Sequence, residues 1–354
     1  MSSSNWDKRI QKYLFFYRDG FFELPYLSDS PRAMIDSLKN TPESTHKPSE
    51  QAITSNNPFC EGVVRYREIE EGLWMLATNI DIKENIVAKA LYQETGAHNH
   101  YVLSFSVFEY VFSSNTDFTD KPIVKSTCWT FYKPKTQVST YFYKGTTGRF
   151  CNFIFTKQWV ENNAVFQKLP KENGIQQFMK SGIGFMNWLD VVPNSHEIFK
   201  EIWKILEIDQ QEPSEITNLK EQTVNLISNF FTAVFNEKRL QKYVPLNNKD
   251  YPNIAKAEKM ILQNLASPFI GIEKIANEVN LSPTKLKSNF KSVFGLSLLQ
   301  YHKEKNMLLA MQLMQNSSMQ IKNISTAIGY DSSSKFTVFF KKRFGILPSE
   351  IRNK

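Results

Sequence analysis

The chain has 354 residues, enough for two domains that each bury a core. With 41% hydrophobic and 22% charged residues it is neither a disordered tail nor a fibrous repeat. The net charge of +8 is unevenly placed: from Gln241 onward 17 Lys and Arg face 7 Asp and Glu, whereas the remainder carries 26 basic and 28 acidic residues. A basic last third suits a nucleic acid or an anionic membrane surface, and charge alone does not choose between them.

At the amino terminus Asp7, Lys8, Arg9, Lys12 and Arg18 interrupt the apolar residues, and no apolar run reaches about 18 residues, which argues against a signal peptide and a spanning helix. The expected location is cytoplasmic, without a membrane partner. Cys60, Cys128 and Cys151 are odd in number and lack C-x-x-C spacing, so they read as small core or surface residues. Residues 1–60 read as an arm and loop: Leu27 to Asn57 is rich in Ser, Pro, Asn and Thr, with one short helix expected from Pro31 to Leu38.

From Gly62 to about Glu161 the pattern changes to short aromatic and β-branched runs: "GVVRYREI", "LWMLATNIDI", "IVAKALYQE", "YVLSFSVFEYVF", "STCWTFYK", "VSTYFYKG" and "RFCNFIFT". These predict a half-buried antiparallel sandwich or barrel. Trp129, Phe131, Tyr132, Tyr141 and Tyr143 either line a ligand pocket in it or fill it. "GTTG", Gly145 to Gly148, reads as a hairpin turn. His98 and His100 form a metal-ligand pair only if a carboxylate joins them, and Glu109 is badly spaced for that, so no metal and no cofactor is expected. No nucleophile elbow, P-loop or dinucleotide fingerprint occurs, and an enzyme with an appended binding domain is the remote alternative.

Two amphipathic helices follow. "SHEIFKEIWKILEI" aligns Ile198, Phe199, Ile202, Trp203 and Leu206 on one face, with Ser195 as N-cap. Pro213 to Leu240 repeats the rule over a length that fits packing on a second copy or on the β-body. Gln241 to Asn253, with Pro245 and Pro252, reads as a linker.

Beyond it the sequence repeats. "IEKIANEVNLSPTKLKSNFKSVFG", Ile272 to Gly295, aligns with "IKNISTAIGYDSSSKFTVFFKKRFG", Ile321 to Gly345. Each copy is a short helix, a turn at Asn280 or Gly329, an N-cap at Ser282-Pro283 or Asp331-Ser332, and a second helix, which is helix-turn-helix grammar. At 100° per residue Leu286, Phe290, Val293 and Phe294 gather on one side, as do Phe336, Phe339, Phe340 and Phe344, and these are the expected core. The opposite arcs carry Thr284, Lys285, Lys287, Ser288 and Lys291 in one helix and Ser334, Lys335, Thr337, Val338 and Lys341 in the other. Hydroxyls and ammonium groups near a helix N-terminus suit base edges and phosphates of a major groove. Between the copies, Ser297 to Gln315 predicts a connecting helix.

From about Ala255 to Asn353 the chain resembles the AraC/XylS transcriptional regulators. Ile324, Gly329, Tyr330, Phe336, Phe340, Lys341, Lys342, Phe344, Gly345, Pro348 and Arg352 carry that family's signature. The resemblance implies a seven-helix, double helix-turn-helix domain binding double-stranded DNA, joined to a variable sensor or dimerisation domain. It also implies a homodimer, with RNA polymerase as a candidate partner. "LSPTKLKSNFKSVFG" and "EEGLWMLATNI" are similar to the siderophore-responsive, pyochelin regulator-like branch, which implies a siderophore-like effector. The family often places Arg where this chain has Ser288, Asn306 and Val338.

The expected organisation is therefore multidomain α+β. A β-rich sensor, cupin-like barrel or sandwich, spans 61–240 and ends in dimerisation helices. A linker spans 241–253, and an all-α double helix-turn-helix domain spans 254–354. The expected function is transcriptional regulation through DNA, under a small-molecule effector. The alternative is a regulator whose N-terminal domain only dimerises or binds a protein.

Overall fold

A computed structural model describes residues 17–18, 20–41, 43–93, 99–111, 123–136, 138–163, 178, 184–188, 195–207, 212–236 and 250–352. The chain divides into two compact units, residues 1–108 with 127–241, and residues 109–126 with 242–354.

In the first unit the described elements begin with β1 (Tyr17–Arg18), β2 (Phe21–Leu27), α1 (Pro31–Lys39), β3 (Ser44–Lys47), β4 (Ala52–Asn56), β5 (Cys60–Glu70) and β6 (Leu73–Ile82). They continue with β7 (Ile86–Leu91), β8 (His100–Val111), β9 (Ile123–Tyr132), β10 (Ser139–Phe142), β11 (Thr146–Thr156), α2 (Lys157–Asn162), β12 (Phe185–Trp188), α3 (Ser195–Leu206) and α4 (Pro213–Asn236). Four strands form a sheet in the order β1-β2-β7-β10, and eight form a second in the order β12-β9-β8-β11-β6-β5-β4-β3. The β2–β7 pair is parallel, and the β3-β4-β5-β6-β11 run is antiparallel. Cys60, Ile82 and Ile86 join Leu24, Phe59, Ile80 and Phe142 in a core cluster drawn from strands of both sheets.

The loop expected across Leu27 to Asn57 holds a helix and two strands. Its prolines mark boundaries: Pro31 opens α1, where Ser30 caps the helix, Pro48 follows β3, and Pro58 lies between β4 and β5. At those places a missing N–H costs no ladder bond. "GTTG" is a second correction. β10 and β11 belong to different sheets, so Gly145, with φ +78°, turns the chain between sheets and closes no hairpin. Ser195 is already the first helical residue of α3.

The large sheet packs α4 on one face. Leu219, Leu226, Ile227, Phe230 and Phe231 are buried, with Phe230 stacked on Trp129 at 5.0 Å and Phe231 edge-on to Phe131 at 5.5 Å. The apolar stripe of α4 from Leu219 to Phe231 is thus buried within the chain, whereas Ile216 in its first turn is 51% exposed. Trp129 and Phe131 fill the core, and Tyr141 and Tyr143 pack on Phe21. His98 lies outside the described residues, and so does the linker from 241 to 249.

The second unit has seven helices among the described residues: α5 (Tyr251–Gln263), α6 (Ile272–Glu278), α7 (Pro283–Phe294), α8 (Leu298–Asn316), α9 (Ile321–Ala327), α10 (Ser333–Phe344) and α11 (Pro348–Arg352). Tyr251 to Asn253, expected in the linker, already belong to α5, because Pro252 sits in the first turn where proline is tolerated. α8 serves both halves. Near its start Tyr301 packs on Phe290 and Phe294, and farther along Leu309, Ala310, Leu313 and Met314 join Ile324, Ile328, Phe336 and Phe340.

Polar groups also enter this interior. Lys305 is 1% exposed, with its ammonium 5.2 Å from the Tyr301 ring centroid, while Tyr301 Oη hydrogen-bonds Glu258. Burial pushes the Glu258 carboxyl above the usual range. Asn306 is buried too, and its Oδ1 accepts the Ala266 N–H at 3.0 Å, where Ala266 holds φ +58°.

Candidate nucleic-acid interface

Each repeat folds as its local chemistry dictates. The turn after α6 places Asn280 at φ +53°, and the turn after α9 places Gly329 at φ +85°, the left-handed conformation that Asn and Gly adopt at least cost. Ser282 then caps α7 by accepting the Lys285 N–H at 3.3 Å, with Pro283 at the first helical position. Ser332 occupies the matching place before α10 without a side-chain cap bond. Both helices end on a left-handed glycine, Gly295 or Gly345, whose N–H donates to Lys291 or Lys341 at 2.8 Å.

The inward faces follow the expected periodicity with one exception. Leu286, Phe290, Val293, Phe336 and Phe340 are buried, and Phe294 and Phe344 are half-buried. Phe339, expected in the core, is 52% exposed, because it stands at the edge of the apolar arc, where its ring is tilted against Tyr330 with centroids 6.0 Å apart.

The outward faces carry the ten predicted residues. Thr284, Lys285, Lys287, Ser288 and Lys291 are exposed on α7, and Ser334, Lys335, Val338 and Lys341 are exposed on α10. Thr337 is half-buried, and its hydroxyl is spent on the Ser333 carbonyl at 2.8 Å. Lys285 Nζ lies 2.8 Å from Asp250 Oδ1, and Asn289 Nδ2 lies 3.3 Å from Asp250 Oδ2, so one cation of the face is already engaged by a carboxylate at the start of α5. Val338 is 66% exposed.

Sequence reasoning missed Lys342, which is exposed and one turn beyond Val338 on the same arc, and Phe339. The 100° spacing alone would have found Lys342, but it groups Phe339 with the core. Arg343 does not add to the face in the same way: its Nε donates to Glu304 of α8 at 2.7 Å. Asn306, where the family often has Arg, is interior.

Residues 275–354 match the family model described as a helix-turn-helix domain. The chain is 36% identical over 81 residues to the virulence regulon transcriptional activator VirF of Yersinia enterocolitica, which covers 23% of this chain and 30% of that protein. It is 32% identical over 90 residues to the HTH-type transcriptional activator RhaR of Escherichia coli K12, covering 25% and 32%. Among solved structures, a transcriptional regulator with an AraC-type DNA-binding domain from Chromobacterium violaceum is 29% identical. It covers 30% of this chain and 95% of that one, with a TM-score of 0.28. The match thus spans about a third of the length of the curated relatives. The C-terminal unit is a double helix-turn-helix module. Over these residues the sequence is similar to helix-turn-helix transcriptional activators.

Proposed function

We propose that the chain is a sequence-specific transcriptional regulator, reading double-stranded DNA through α7 and α10. The observation that carries this is the duplicated unit itself. Two second helices, each with its phenylalanines inward, present lysines and hydroxyls outward on a region whose excess is ten positive charges. Fixed positive charge supplies phosphate contacts that position a protein, and side chains near a recognition helix N-terminus reach base edges.

In this reading Lys287, Ser288, Ser334 and Lys335 face bases, while Lys291, Lys341 and Lys342 meet phosphates. Lys285 joins them only when it leaves Asp250. Val338 and Phe339 offer apolar surface, which complements the thymine methyl group and no hydrogen-bonding edge. Both outward arcs lack arginine, so bidentate guanine readout is not their chemistry.

The remaining parts of the reading rest on the family likeness. The β-rich unit binds a small effector and shifts the population of DNA-competent conformations by its differential affinity. The chain works in the cytoplasm as a homodimer and contacts RNA polymerase, without catalysis of its own. No helix among the described residues is long and apolar enough to cross a membrane. Titrating the full chain onto short duplexes in rising KCl tests the core of the proposal. Nanomolar binding that falls steeply with salt and depends on sequence supports it, and equal weak binding to every duplex overturns it.

A further inference from the structure

The third residue of each reading helix is a lysine, Lys285 in α7 and Lys335 in α10, and the repeat aligns the two. Only one of them is tied down. Lys285 Nζ lies 2.8 Å from Asp250 Oδ1, and Asp250 Oδ2 accepts from Asn289 Nδ2 at 3.3 Å, one turn farther along α7. Lys335 is exposed and makes no ion pair or side-chain hydrogen bond among the described residues. The residue that aligns with Asn289 is Phe339, which has no donor for a carboxylate, and it is exposed where Asn289 is buried.

Asp250 serves this contact instead of its own helix. It stands at the N-cap place of α5, where an aspartate ordinarily takes an extended backbone and accepts an N–H of the first turn. Here the backbone is helical, with φ −88° and ψ −14°, and the side chain makes no cap bond. Both carboxylate oxygens go to α7. The helix that precedes the second copy spends its carboxylate elsewhere: Glu304 of α8 accepts from Arg343 in the last turn of α10, about two turns beyond Lys335. The place aligned with Arg343 in the first copy holds Val293, which is buried.

We propose that Asp250 is an autoinhibitory latch on the first reading helix, so that the two readers are unequal: α10 engages DNA as it stands, and α7 engages fully only when Lys285 is released. This deepens the DNA reading proposed above and rests on it. A phosphate oxygen and the Asp250 carboxylate offer one ammonium the same kind of charge-assisted bond, so a duplex competes with the latch directly. Because the pair is partly exposed, the latch weakens engagement of α7 without forbidding it. Asp250 is also the residue through which the chain, coming in sequence from the β-rich unit, enters α5. A displacement of that entry point releases Lys285 and leaves Lys335 as it is.

Two measurements on the full chain test the latch. The first needs no DNA: lysines are acetylated with sulfo-NHS-acetate and the rates are read by mass spectrometry. Asp250→Asn is expected to speed labelling of Lys285 about two- to fivefold, the scale of a part-exposed ion pair, and to leave Lys335 unchanged. The second uses a duplex from randomised-site selection and two truncated duplexes that keep only the half read by α7 or only the half read by α10, assigned with Lys287→Ala and Lys335→Ala. At about 0.15 M KCl the Debye length of about 8 Å confines the effect of a lost charge to its surroundings. Asp250→Asn is expected to tighten binding to the full site and to the α7 half by about the same two- to fivefold, and to leave the α10 half unchanged. In a Lys285→Met background the substitution has no further effect. Unaltered labelling of Lys285, faster labelling of both lysines alike, an equal gain on the α10 half, or a gain that persists with Lys285→Met overturns the latch. If the parent chain binds every duplex alike, the DNA reading falls, and the labelling rates still decide whether Asp250 restrains Lys285.

Discussion

Lys285 of the first recognition helix is held by Asp250, with Nζ 2.8 Å from Oδ1, and Asp250 is the residue immediately before α5. The lysine side chain remains 51% exposed while the aspartate is 11% exposed, so the carboxylate is fixed and the ammonium is the part able to leave. A phosphate competes with Asp250 for one cation. Asp250→Asn keeps the shape and removes the competitor. Its DNA affinity at low salt should rise severalfold, and the slope of log K against log[salt] should steepen by about 0.9, the value for one added phosphate contact. Anisotropy titrations over a KCl series measure both. An unchanged slope would mean that Lys285 stays off the duplex.

Lys341 and Lys287 should behave differently from each other. Lys341→Ala is expected to weaken binding to all duplexes alike and to lower the salt slope by about one unit. Lys287→Ala should change the preferred sequence. A randomised-site selection decides: an unaltered preference profile removes Lys287 from the base-reading set, and a change confined to one base position contradicts the phosphate role of Lys341.

Val338 gives a prediction that needs no change of protein. Replacing thymine by deoxyuridine removes only the methyl group, so a scan across the bound site should find one or two positions where uracil weakens binding. Val338→Ala should flatten that scan at the same positions. A flat scan with the unmodified chain rejects apolar readout while leaving DNA binding intact.

Lys305 concerns stability. Lys305→Ala leaves Glu258 buried without its cation and opens a cavity, so urea unfolding should show a loss of about 3–5 kcal/mol. Lys305→Met keeps the volume and should cost much less. Equal losses in the two variants would mean that the charge opposite Glu258, and not packing, is what Lys305 supplies.

These arguments began in patterns of unequal clarity. The β-run "LWMLATNIDI" was legible because a short apolar run bounded by turns is what a buried strand requires, and β6 spans those residues. The repeat was legible because two copies check each other, Asn280 against Gly329 and Gly295 against Gly345. Strands β3 and β4 were not, since prolines at element boundaries resemble a loop in a single sequence. Phe339 was assigned to the core because periodicity reports direction and not how far a neighbour reaches. The engagement of Lys285 was hidden for a different reason: Asp250 lies 35 residues away, and only tertiary packing brings it close.

The central claim is that one chain carries two reading helices. α8 joins the two halves with 19 residues, roughly 28 Å of helix, of the order of one turn of duplex. The most direct measurement is a randomised-duplex selection with the full chain, followed by sequencing of the bound fraction. The account predicts an enriched site with two short conserved blocks about 10–10.5 base pairs apart, centre to centre, one of them lost in Lys287→Ala and the other in Lys335→Ala. A single conserved block, or no enrichment over the input, would contradict it.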